Sequence, residues 1–296
     1  MAGEVRGRIL RSLGGFYTLC TENGSIPECR ACGRFRVQRV TPLVGDMALV
    51  CVDADGTGLV TELLPRKNAL RRPPLANLDR LFIVCSAMEP APNLRLLDLL
   101  AASAEIAGID AVFLFTKSDL ADCAPLVDIY TSAGFRAFAL SPQREAGIAE
   151  VRALLRGCVS AFCGNTGVGK STLLNRLLPE LQLATGEISQ KLGRGRHTTR
   201  HVELFPVADG WVADTPGFSA LELENDAALT DRTLPLAFRE FAPFLDACAF
   251  PDCAHMKESG CAVRAAAEAG RLPKSRYESY AALRGQWRRQ YGKPRR

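Results

Sequence analysis

Two features that mark secreted and membrane proteins are absent from the sequence. The first ten residues, Met1 to Leu10, contain no apolar signal core, and no uninterrupted apolar run is long enough to span a bilayer. The sequence therefore predicts a cytoplasmic protein with no membrane association, whose eleven cysteines are reduced thiols. Disulfide bonds are accordingly not expected to hold the fold together.

The chain also has little excess charge. Its formal net charge is +5, with 23% charged and 47% hydrophobic residues. These values are ordinary for a globular protein, so the positions of the basic residues are more informative than their total. A length of 296 residues fits two or three domains rather than one small core.

A phosphate-binding loop stands in the middle of the chain. The segment G-N-T-G-V-G-K-S fits the pattern G-x-x-x-x-G-K-[ST], between a predicted buried strand at 159–163 and a predicted helix at 171–178. Its glycines let backbone N–H groups converge on phosphate oxygens, Lys170 can reach the β- and γ-phosphates, and Ser171 can bind Mg²⁺. The residues predicted to bind nucleotide here are Gly164, Asn165, Thr166, Gly167, Val168, Gly169, Lys170, Ser171 and Thr172.

A guanine-reading motif is indicated directly after the predicted strand at 111–115. It resembles the N-K-x-D motif of GTPases and consists of Thr116, Lys117, Ser118 and Asp119. The Asp119 carboxylate can accept two hydrogen bonds from the guanine edge, and adenine offers no matching donors. Lys117 is expected to lie over the base and Ser141 to cover it, while Thr116 keeps a hydroxyl but lacks the amide fork of Asn. An ordinary polar turn is the alternative for so short a motif.

A third motif, D-T-P-G, follows the predicted strand at 211–213 and matches the D-x-x-G signature of GTPases. Asp214 is expected to hold Mg²⁺ through water and the Gly217 N–H to sense the γ-phosphate. The preceding loop is rich in glycine, arginine and threonine, and a threonine there, Thr198 or Thr199, can complete the Mg²⁺ shell as switch I; a basic surface loop is the alternative. The guanine motif precedes the phosphate loop, which reverses the usual order; a doubly wound domain tolerates this because its natural termini lie close together.

Catalysis needs a residue that orients the attacking water. GTPases of the Ras type place Gln just after the D-x-x-G glycine, and this chain has Phe218 there. His197 is the candidate that replaces it, because a neutral imidazole can accept a proton or orient water. A surface histidine that contacts phosphate or RNA is the alternative. Lys170 is the second predicted catalytic residue.

A metal site is predicted near the C-terminus, where the spacing C-x4-C-x-H-x5-C places Cys248, Cys253, His255 and Cys261. Three thiolates and an imidazole form a complete tetrahedral set for structural zinc, with no open position for catalysis. The site lies between helix-like segments at 229–245 and 262–269. Core cysteines or a reduced redox pair are the alternatives. The pair Cys29 and Cys32 is a weak metal signal because no second pair lies nearby.

Basic residues interleaved with aromatic residues at both ends of the chain predict a phosphate-rich partner. Residues 1 to about 70 read as a closed five-stranded OB-type barrel, whose connecting stretch contains Arg30, Arg34, Phe35, Arg36 and Arg39. The tail contains Lys274, Arg276, Tyr277, Tyr280, Arg284, Trp287, Arg288, Arg289, Tyr291, Lys293, Arg295 and Arg296. A solvated basic surface is the alternative in both places.

These motifs together resemble the circularly permuted, ribosome small-subunit-dependent GTPase A (RsgA/YjeQ) family over nearly the whole chain. The resemblance implies a multidomain α/β protein: an OB-fold RNA-binding barrel at 1–70, a permuted P-loop GTPase domain with a doubly wound sheet at 75–222, and a zinc-binding domain with a basic C-terminal helix at 223–296. It implies GTP or GDP, Mg²⁺ and one structural Zn²⁺ as cofactors. It also implies binding to the 30S ribosomal subunit and 16S rRNA, hydrolysis stimulated by that subunit, and a role in late small-subunit maturation. We expect a monomer.

Two other functions remain possible from the residues alone. A P-loop ATPase or kinase would need an acceptor-substrate pocket, and the sequence offers no recognisable one. A zinc-containing RNA-binding module could hold nucleotide without turnover.

Overall fold

The structure, a computed structural model, describes residues 4–24, 28–54, 56–141, 143–178, 202–207, 209–214 and 229–291. The chain packs as two compact units. One comprises Met1–Arg80, Glu150–Phe162 and Leu177–Phe218, and the other comprises Leu81–Ala149, Cys163–Arg176 and Ser219–Arg296. In the described ranges no helix is both long enough and apolar enough to cross a membrane. The three predicted domain ranges stay a prediction.

The first unit begins with a five-stranded barrel, as the sequence predicts. Its strands are β1 (Glu4–Leu13), β2 (Phe16–Thr21), β3 (Glu28–Ala31), β4 (Met47–Val52) and β5 (Thr57–Leu63), with the short helix α1 (Gly33–Val37) after β3. They lie in the order β1-β2-β3-β5-β4, and β1 also pairs with β4, which closes the barrel.

Alternation along the strands fills the barrel. Tyr17 and Leu19 of β2, Val50 of β4 and Val60 of β5 are buried and belong to one cluster, because every second residue of a strand faces the same side. Cys29 of β3 is also fully buried, and burial raises the pKa of its thiol to about 11. Cys29 is therefore a core residue of the barrel.

One aromatic side chain of the barrel is buried where the sequence predicts an exposed one. Phe35 of α1 is buried and packs into the barrel core, so its ring is not available for stacking on a base. The arginines around it, Arg34, Arg36 and Arg39, are exposed. The interleaving of charge and aromatic residues at 30–39 is therefore only in part a surface feature.

The rest of the first unit surrounds the strand that leads to the phosphate loop. Its elements are β6 (Ala69–Leu70), β7 (Leu75–Ala76), β11 (Val159–Cys163), β12 (Glu203–Val207) and β13 (Gly210–Asp214), with most of the helix α4 (Ile148–Leu154). β13 runs parallel to β11 and antiparallel to β12. The Asp79 carboxylate accepts a hydrogen bond of 2.8 Å from the Val159 N–H, which fixes the start of β11.

Strands and helices alternate in the second unit. The strands are β8 (Arg80–Ser86), β9 (Asp110–Thr116) and β10 (Arg136–Ala139), in the order β10-β9-β8, and the helices are α2 (Leu94–Ile106), α3 (Ala124–Ser132) and α5 (Lys170–Leu177). β9 and β10 are parallel, and β9 is buried along Ala111 to Thr116, as expected for a strand covered on both faces.

The C-terminal part of this unit departs from the sequence prediction. The prediction of one helix-like segment at 229–245 is wrong. The structure has two 3₁₀ helices there, Pro235–Ala237 and Arg239–Phe241, followed by the short helix α6 (Ala242–Leu245). Pro235 and Pro243 interrupt the helical pattern because proline has no N–H to donate and its ring clashes with the preceding turn. The helices α7 (Ala262–Glu268) and α8 (Lys274–Tyr291) follow.

Arg276 of α8 corrects the interpretation of the basic tail. Its guanidinium is fully buried and donates to Glu240 at 2.6 and 3.0 Å and to Asp98 of α2 at 2.7 Å. The same group lies 4.6 Å from the centre of the Phe238 ring. Burial raises the pKa of Asp98, and the charge of Arg276 opposes that rise. Arg276 therefore joins three segments of the interior and is not a phosphate contact.

Two more residues of the predicted basic surface are interior. Arg284 is buried and donates to the Asp231 carbonyl at 3.0 Å and to the Tyr280 hydroxyl at 2.9 Å. Tyr280 itself is fully buried. Lys274 is exposed, as predicted. The residues Lys293, Arg295 and Arg296 lie outside the described ranges.

Replacing Arg276 by Met should destabilise the protein by about 3–5 kcal/mol, because two buried carboxylates lose their counter-charge. Lys274→Met on the same helix is the matched control, since its exposed pair with Glu278 at 3.8 Å should contribute well under 1 kcal/mol. Thermal and urea unfolding measure both. Equal stability of the two variants would contradict a structural role for the buried pair.

Candidate functional site

The phosphate loop connects the end of β11 to the start of α5, and its backbone disfavours a side chain at two glycines, one by contact and the other by conformation. At Gly164, with φ of 153°, an added Cβ would lie 2.3 Å from the Val84 carbonyl oxygen. At Gly169, with φ of 88°, it would lie 3.6 Å from the Thr116 hydroxyl. The first position excludes any larger residue by contact, and the second disfavours one by its left-handed backbone.

The remaining loop residues are arranged for a ligand that approaches from solvent. Asn165, Thr166 and Gly167 are exposed, whereas Val168 is buried. Lys170 is the first residue of α5, and its Nζ lies 3.4 Å from the Gly164 carbonyl oxygen. A cationic side chain at the N-terminus of a helix, beside N–H groups of a glycine loop, is a site for phosphate.

Thr116 joins the guanine motif to the phosphate loop. Its side chain is buried at the end of β9, and its hydroxyl lies 2.5 Å from the Val168 carbonyl oxygen and 3.3 Å from that of Cys85. From the sequence, the missing amide fork of Asn predicts only a loss of contact with the base. In this structure the hydroxyl of Thr116 holds the backbone of the phosphate loop.

Lys117 reaches a residue that sequence reasoning missed. Its backbone is left-handed, with φ of 63°, and its ammonium group donates to the carbonyl oxygen of Glu89 in the loop between β8 and α2. That the Lys117 side chain lies over a base stays a prediction. The Glu89 acceptor is a main-chain oxygen, so no residue type at position 89 could have indicated it.

Asp119 and Ser141 lie together, as their positions after two neighbouring parallel strands predict. The Ser141 hydroxyl donates to Asp119 Oδ1 at 2.8 Å, and this bond is the main cause of the lowered pKa of Asp119. The Ser118 N–H donates to the Leu140 carbonyl at 3.1 Å, which ties the two loops. Asp119 is therefore an ionised acceptor, the form that can receive two donors from guanine.

Asp214 is the last residue of β13. That strand pairs with β11 through Ala213 and Ala161, so β13 and β11 end at the same edge of the sheet. His197, Thr198, Thr199 and Gly217 lie outside the described residues.

A cavity lies against the phosphate loop in the second unit. Gly164, Asn165 and Val168 form one wall, and residues of the β8–α2 loop and α2 form the other, among them Pro90, Asn93, Leu96, Leu97 and Leu100. Asn93 caps α2 by accepting from the Leu96 N–H at 3.2 Å. The first turns of α2 thus face the phosphate loop across this cavity, a position that leucines at helical spacing do not reveal in sequence.

The four predicted metal ligands are brought together. The ligand atoms of Cys248, Cys253, His255 and Cys261 all lie within 4.8 Å of one another. Nδ1 of His255 lies 3.5 Å from the Cys248 sulfur and 3.6 Å from the Cys261 sulfur. Three sulfurs and one imidazole nitrogen at this separation fit a tetrahedral metal ion with bonds of about 2.0–2.3 Å.

Two tyrosines of α8 hold the backbone of this cluster. The Tyr277 hydroxyl donates to the His255 carbonyl and the Tyr280 hydroxyl to the Ala254 carbonyl, both at 2.9 Å. His255 adopts a left-handed backbone with φ of 56°. Burial and the charge of Arg284 lower the pKa of His255. These tyrosines therefore support the cluster, and the fully buried Tyr280 is not part of the aromatic surface that the sequence of the tail predicts.

Comparisons with known proteins agree with this geometry. The family model "RsgA N-terminal domain" matches residues 6–60 and "RsgA GTPase" matches 63–224. The small ribosomal subunit biogenesis GTPase RsgA of Moorella thermoacetica is 44% identical over 93% of this chain and 95% of its own length. The protein of that name from Enterococcus faecalis is 45% identical over 93% of both.

Two solved structures are similar as well. YjeQ from Thermotoga maritima matches with a TM-score of 0.84 and 30% identity, over 96% of this chain and 99% of its own. YloQ, described as a circularly permuted GTPase, matches with a TM-score of 0.82 and 31% identity, over 99% and 98%.

The fold and the order of the motifs define a circularly permuted GTPase with an N-terminal five-stranded barrel. Members of this class bind guanine nucleotide with Mg²⁺. The chain belongs to the RsgA GTPase family.

Thr116→Val should weaken the binding of GDP about 5- to 30-fold, because the variant removes the donor to the buried Val168 carbonyl without changing the side-chain shape. Thr116→Ser keeps the donor and is the control. Equilibrium titration with a fluorescent GDP analogue measures both, and thermal unfolding without nucleotide checks the fold. Wild-type affinity in the Val variant would show that the contact does not shape the loop.

The purified chain should contain one zinc ion, and Cys261→Ser should lose it and unfold the C-terminal region at lower temperature, because metal binding is coupled to local folding. Cys20→Ser in the barrel is the control, with zinc content unchanged. Elemental analysis and limited proteolysis supply the readouts. Undiminished zinc in Cys261→Ser would refute the ligand assignment.

Proposed function

We propose that this GTPase hydrolyses GTP to GDP and phosphate under stimulation by the 30S ribosomal subunit, during late maturation of that subunit. The observation that carries the nucleotide assignment is the contact of Thr116 with the Val168 carbonyl, which supports a proposed guanine motif beside the phosphate loop within one compact unit. The names of the relatives, which describe small-subunit biogenesis, support this partner.

Each of the three motifs is assigned one part of the nucleotide or its Mg²⁺ ion. Backbone N–H groups of 164–169 and Lys170 hold the phosphates, Ser171 and Thr172 follow at the start of α5, and Asp119 reads the guanine edge. Asp214 and one of Thr198 or Thr199 complete the Mg²⁺ shell, and the Gly217 N–H senses the γ-phosphate. The bond from the Ser141 hydroxyl to Asp119 Oδ1 supports this assignment, because it orients the carboxylate, and each carboxylate oxygen can accept more than one hydrogen bond.

Zinc is proposed as a structural cofactor. The ion would be held by three cysteines and His255, and it would supply a fixed tetrahedral crosslink between the loop at 248–255 and the start of α7. The bonds from Tyr277 and Tyr280 support a role in which the cluster anchors α8.

The partner is proposed to include 16S rRNA, and the protein is proposed to act as a cytoplasmic monomer with the three domain ranges given by the sequence. Exposed arginines of the barrel, Arg34, Arg36 and Arg39, support contact with the phosphate backbone. Because Arg276 and Arg284 are buried, α8 offers fewer basic side chains to RNA than its composition indicates.

Multiple-turnover GTP hydrolysis with and without purified 30S subunits tests the function. We expect a low basal rate that rises by an order of magnitude or more with 30S, and no activity in Lys170→Ala. If ATP displaced bound GDP with the same efficiency as GTP, a P-loop ATPase or kinase would be favoured. Nucleotide binding with no turnover in either condition would favour an RNA-binding module.

His197→Ala should slow single-turnover hydrolysis about 100-fold or more at saturating GTP and 30S, because His197 is proposed to orient the attacking water. GDP affinity should stay unchanged. His201→Ala, four residues further on, is the matched control. An unchanged rate in His197→Ala would remove the catalytic assignment.

A further inference from the structure

Helix α2 is held near its middle by a charge that belongs to α8. Asp98 is buried on the second turn of α2, and its Oδ1 accepts a hydrogen bond of 2.7 Å from Arg276. Glu240 accepts from the same guanidinium at 2.6 and 3.0 Å. A displacement of the guanidinium would leave two buried carboxylates without a counter-charge, which is costly in the interior. The position of α2 therefore depends on where α8 holds Arg276.

Helix α8 is in turn held by the cluster of metal ligands. The Tyr277 hydroxyl, one residue after Arg276, donates to the His255 carbonyl at 2.9 Å, and the Tyr280 hydroxyl donates to the Ala254 carbonyl at the same distance. Metal binding is coupled to the local folding of the backbone that supplies these two acceptors. Loss of the metal would therefore remove the fixed acceptors of α8.

At its N-terminal end, α2 carries a loop that contacts two of the nucleotide motifs. Asn93 caps α2 and so ties the β8–α2 loop to the helix. The Glu89 carbonyl in this loop accepts from the Lys117 ammonium group. Pro90 lies beside the phosphate loop, since a Cβ added at Gly167 would be 3.8 Å from its Cδ. A displacement of α2 would therefore change both contacts.

We propose that Arg276 is a positioning residue that links zinc at the cluster to guanine nucleotide at the phosphate loop. The two-state element is the cluster, which is ordered with zinc and locally unfolded without it. The ordered cluster holds α8, Arg276 and α2 in place, and the β8–α2 loop then keeps Lys117 and the phosphate loop in the arrangement that binds nucleotide. All these residues belong to the second compact unit. The inference rests on the zinc ion of the proposed function.

A linkage of this kind is reciprocal. The factor by which zinc strengthens nucleotide binding equals the factor by which nucleotide strengthens zinc binding. Two independent measurements therefore report one number, which we name the linkage factor. A purely structural defect lowers the affinity for nucleotide equally with and without zinc, so it leaves the linkage factor unchanged.

A second ion pair on α2 offers the matched control. Glu105, on the last turn of α2, accepts from Arg239 Nε at 3.0 Å, and the two side chains are 28% and 30% exposed. Arg239 belongs to a 3₁₀ helix and not to α8, and Glu105 lies at the end of α2 opposite to the β8–α2 loop. Glu105→Gln should therefore keep the wild-type linkage factor.

The test is the affinity of the full chain for a fluorescent GDP analogue, with zinc bound and after its removal by a chelator. Zinc should strengthen GDP binding about 5- to 30-fold, as is typical of coupled sites. The second measurement is the partition of zinc between the chain and a chelator of known affinity, with and without saturating GDP. It starts from the zinc-bound chain, needs no isolated zinc-free protein and should give the same factor.

Two variants interrupt the path at different points. Asp98→Asn keeps the side-chain shape but removes the charge that faces Arg276, and it should reduce the linkage factor to about 1–2. Tyr277→Phe removes only the hydroxyl bond to the cluster and should lower the factor as well. Thermal unfolding of the zinc-bound forms checks that each variant is folded.

Three results would overturn the inference: a linkage factor of 1 in the wild-type chain, a wild-type factor in Asp98→Asn or Tyr277→Phe, or an equal reduction in Glu105→Gln. A chain that binds no zinc would defeat the zinc assignment together with the inference.

GTP hydrolysis of the same preparations separates this inference from the proposed function. Linked binding of zinc and GDP in a chain that fails to respond to 30S would defeat the proposed function alone. Normal stimulation by 30S with a linkage factor of 1 would defeat the inference alone.

Discussion

The buried guanidinium of Arg276 is the interaction on which the second unit depends most. It neutralises carboxylates from two different segments, Asp98 and Glu240, at distances of 2.6–3.0 Å in a site without access to water. A charge in such a place is stable only while every partner stays in position. The packing of α8 against α2 is therefore specified by charge geometry as well as by the apolar cluster around Phe238 and Phe241.

Helix α2 connects the two sites through this pair. Its first turns line the cavity against the phosphate loop, its middle contributes Asp98, and its last turn contributes Glu105, which pairs with Arg239 at 2.5–3.0 Å. From α8 the tyrosine hydroxyls reach the backbone of the metal cluster. The phosphate loop and the cluster thus share one continuous framework within the second unit, made of α2 and α8.

Local motifs were predictable from sequence because their chemistry depends on neighbours in the chain. The phosphate loop, the metal ligands and the alternating strands of the barrel are patterns of this kind. The position of Arg276 was not predictable, because its partner Asp98 is 178 positions away in the chain. The position of Phe35 was not predictable either, because a short helix can direct one aromatic side chain into the core. Charge next to aromatic residues indicated a surface, whereas tertiary packing buried Phe35, Arg276, Tyr280 and Arg284. The broken segment at 229–245 was readable in principle from its two prolines.

The bond between the Lys117 ammonium group and Glu89 restricts substitution at only one of its two positions. Its acceptor is the main-chain oxygen of Glu89, which every amino acid supplies. A substitution at position 89 keeps this acceptor. The bond therefore places no requirement on the side chain at position 89 and depends only on the lysine at position 117. An inventory of invariant side chains would therefore record only one half of the contact.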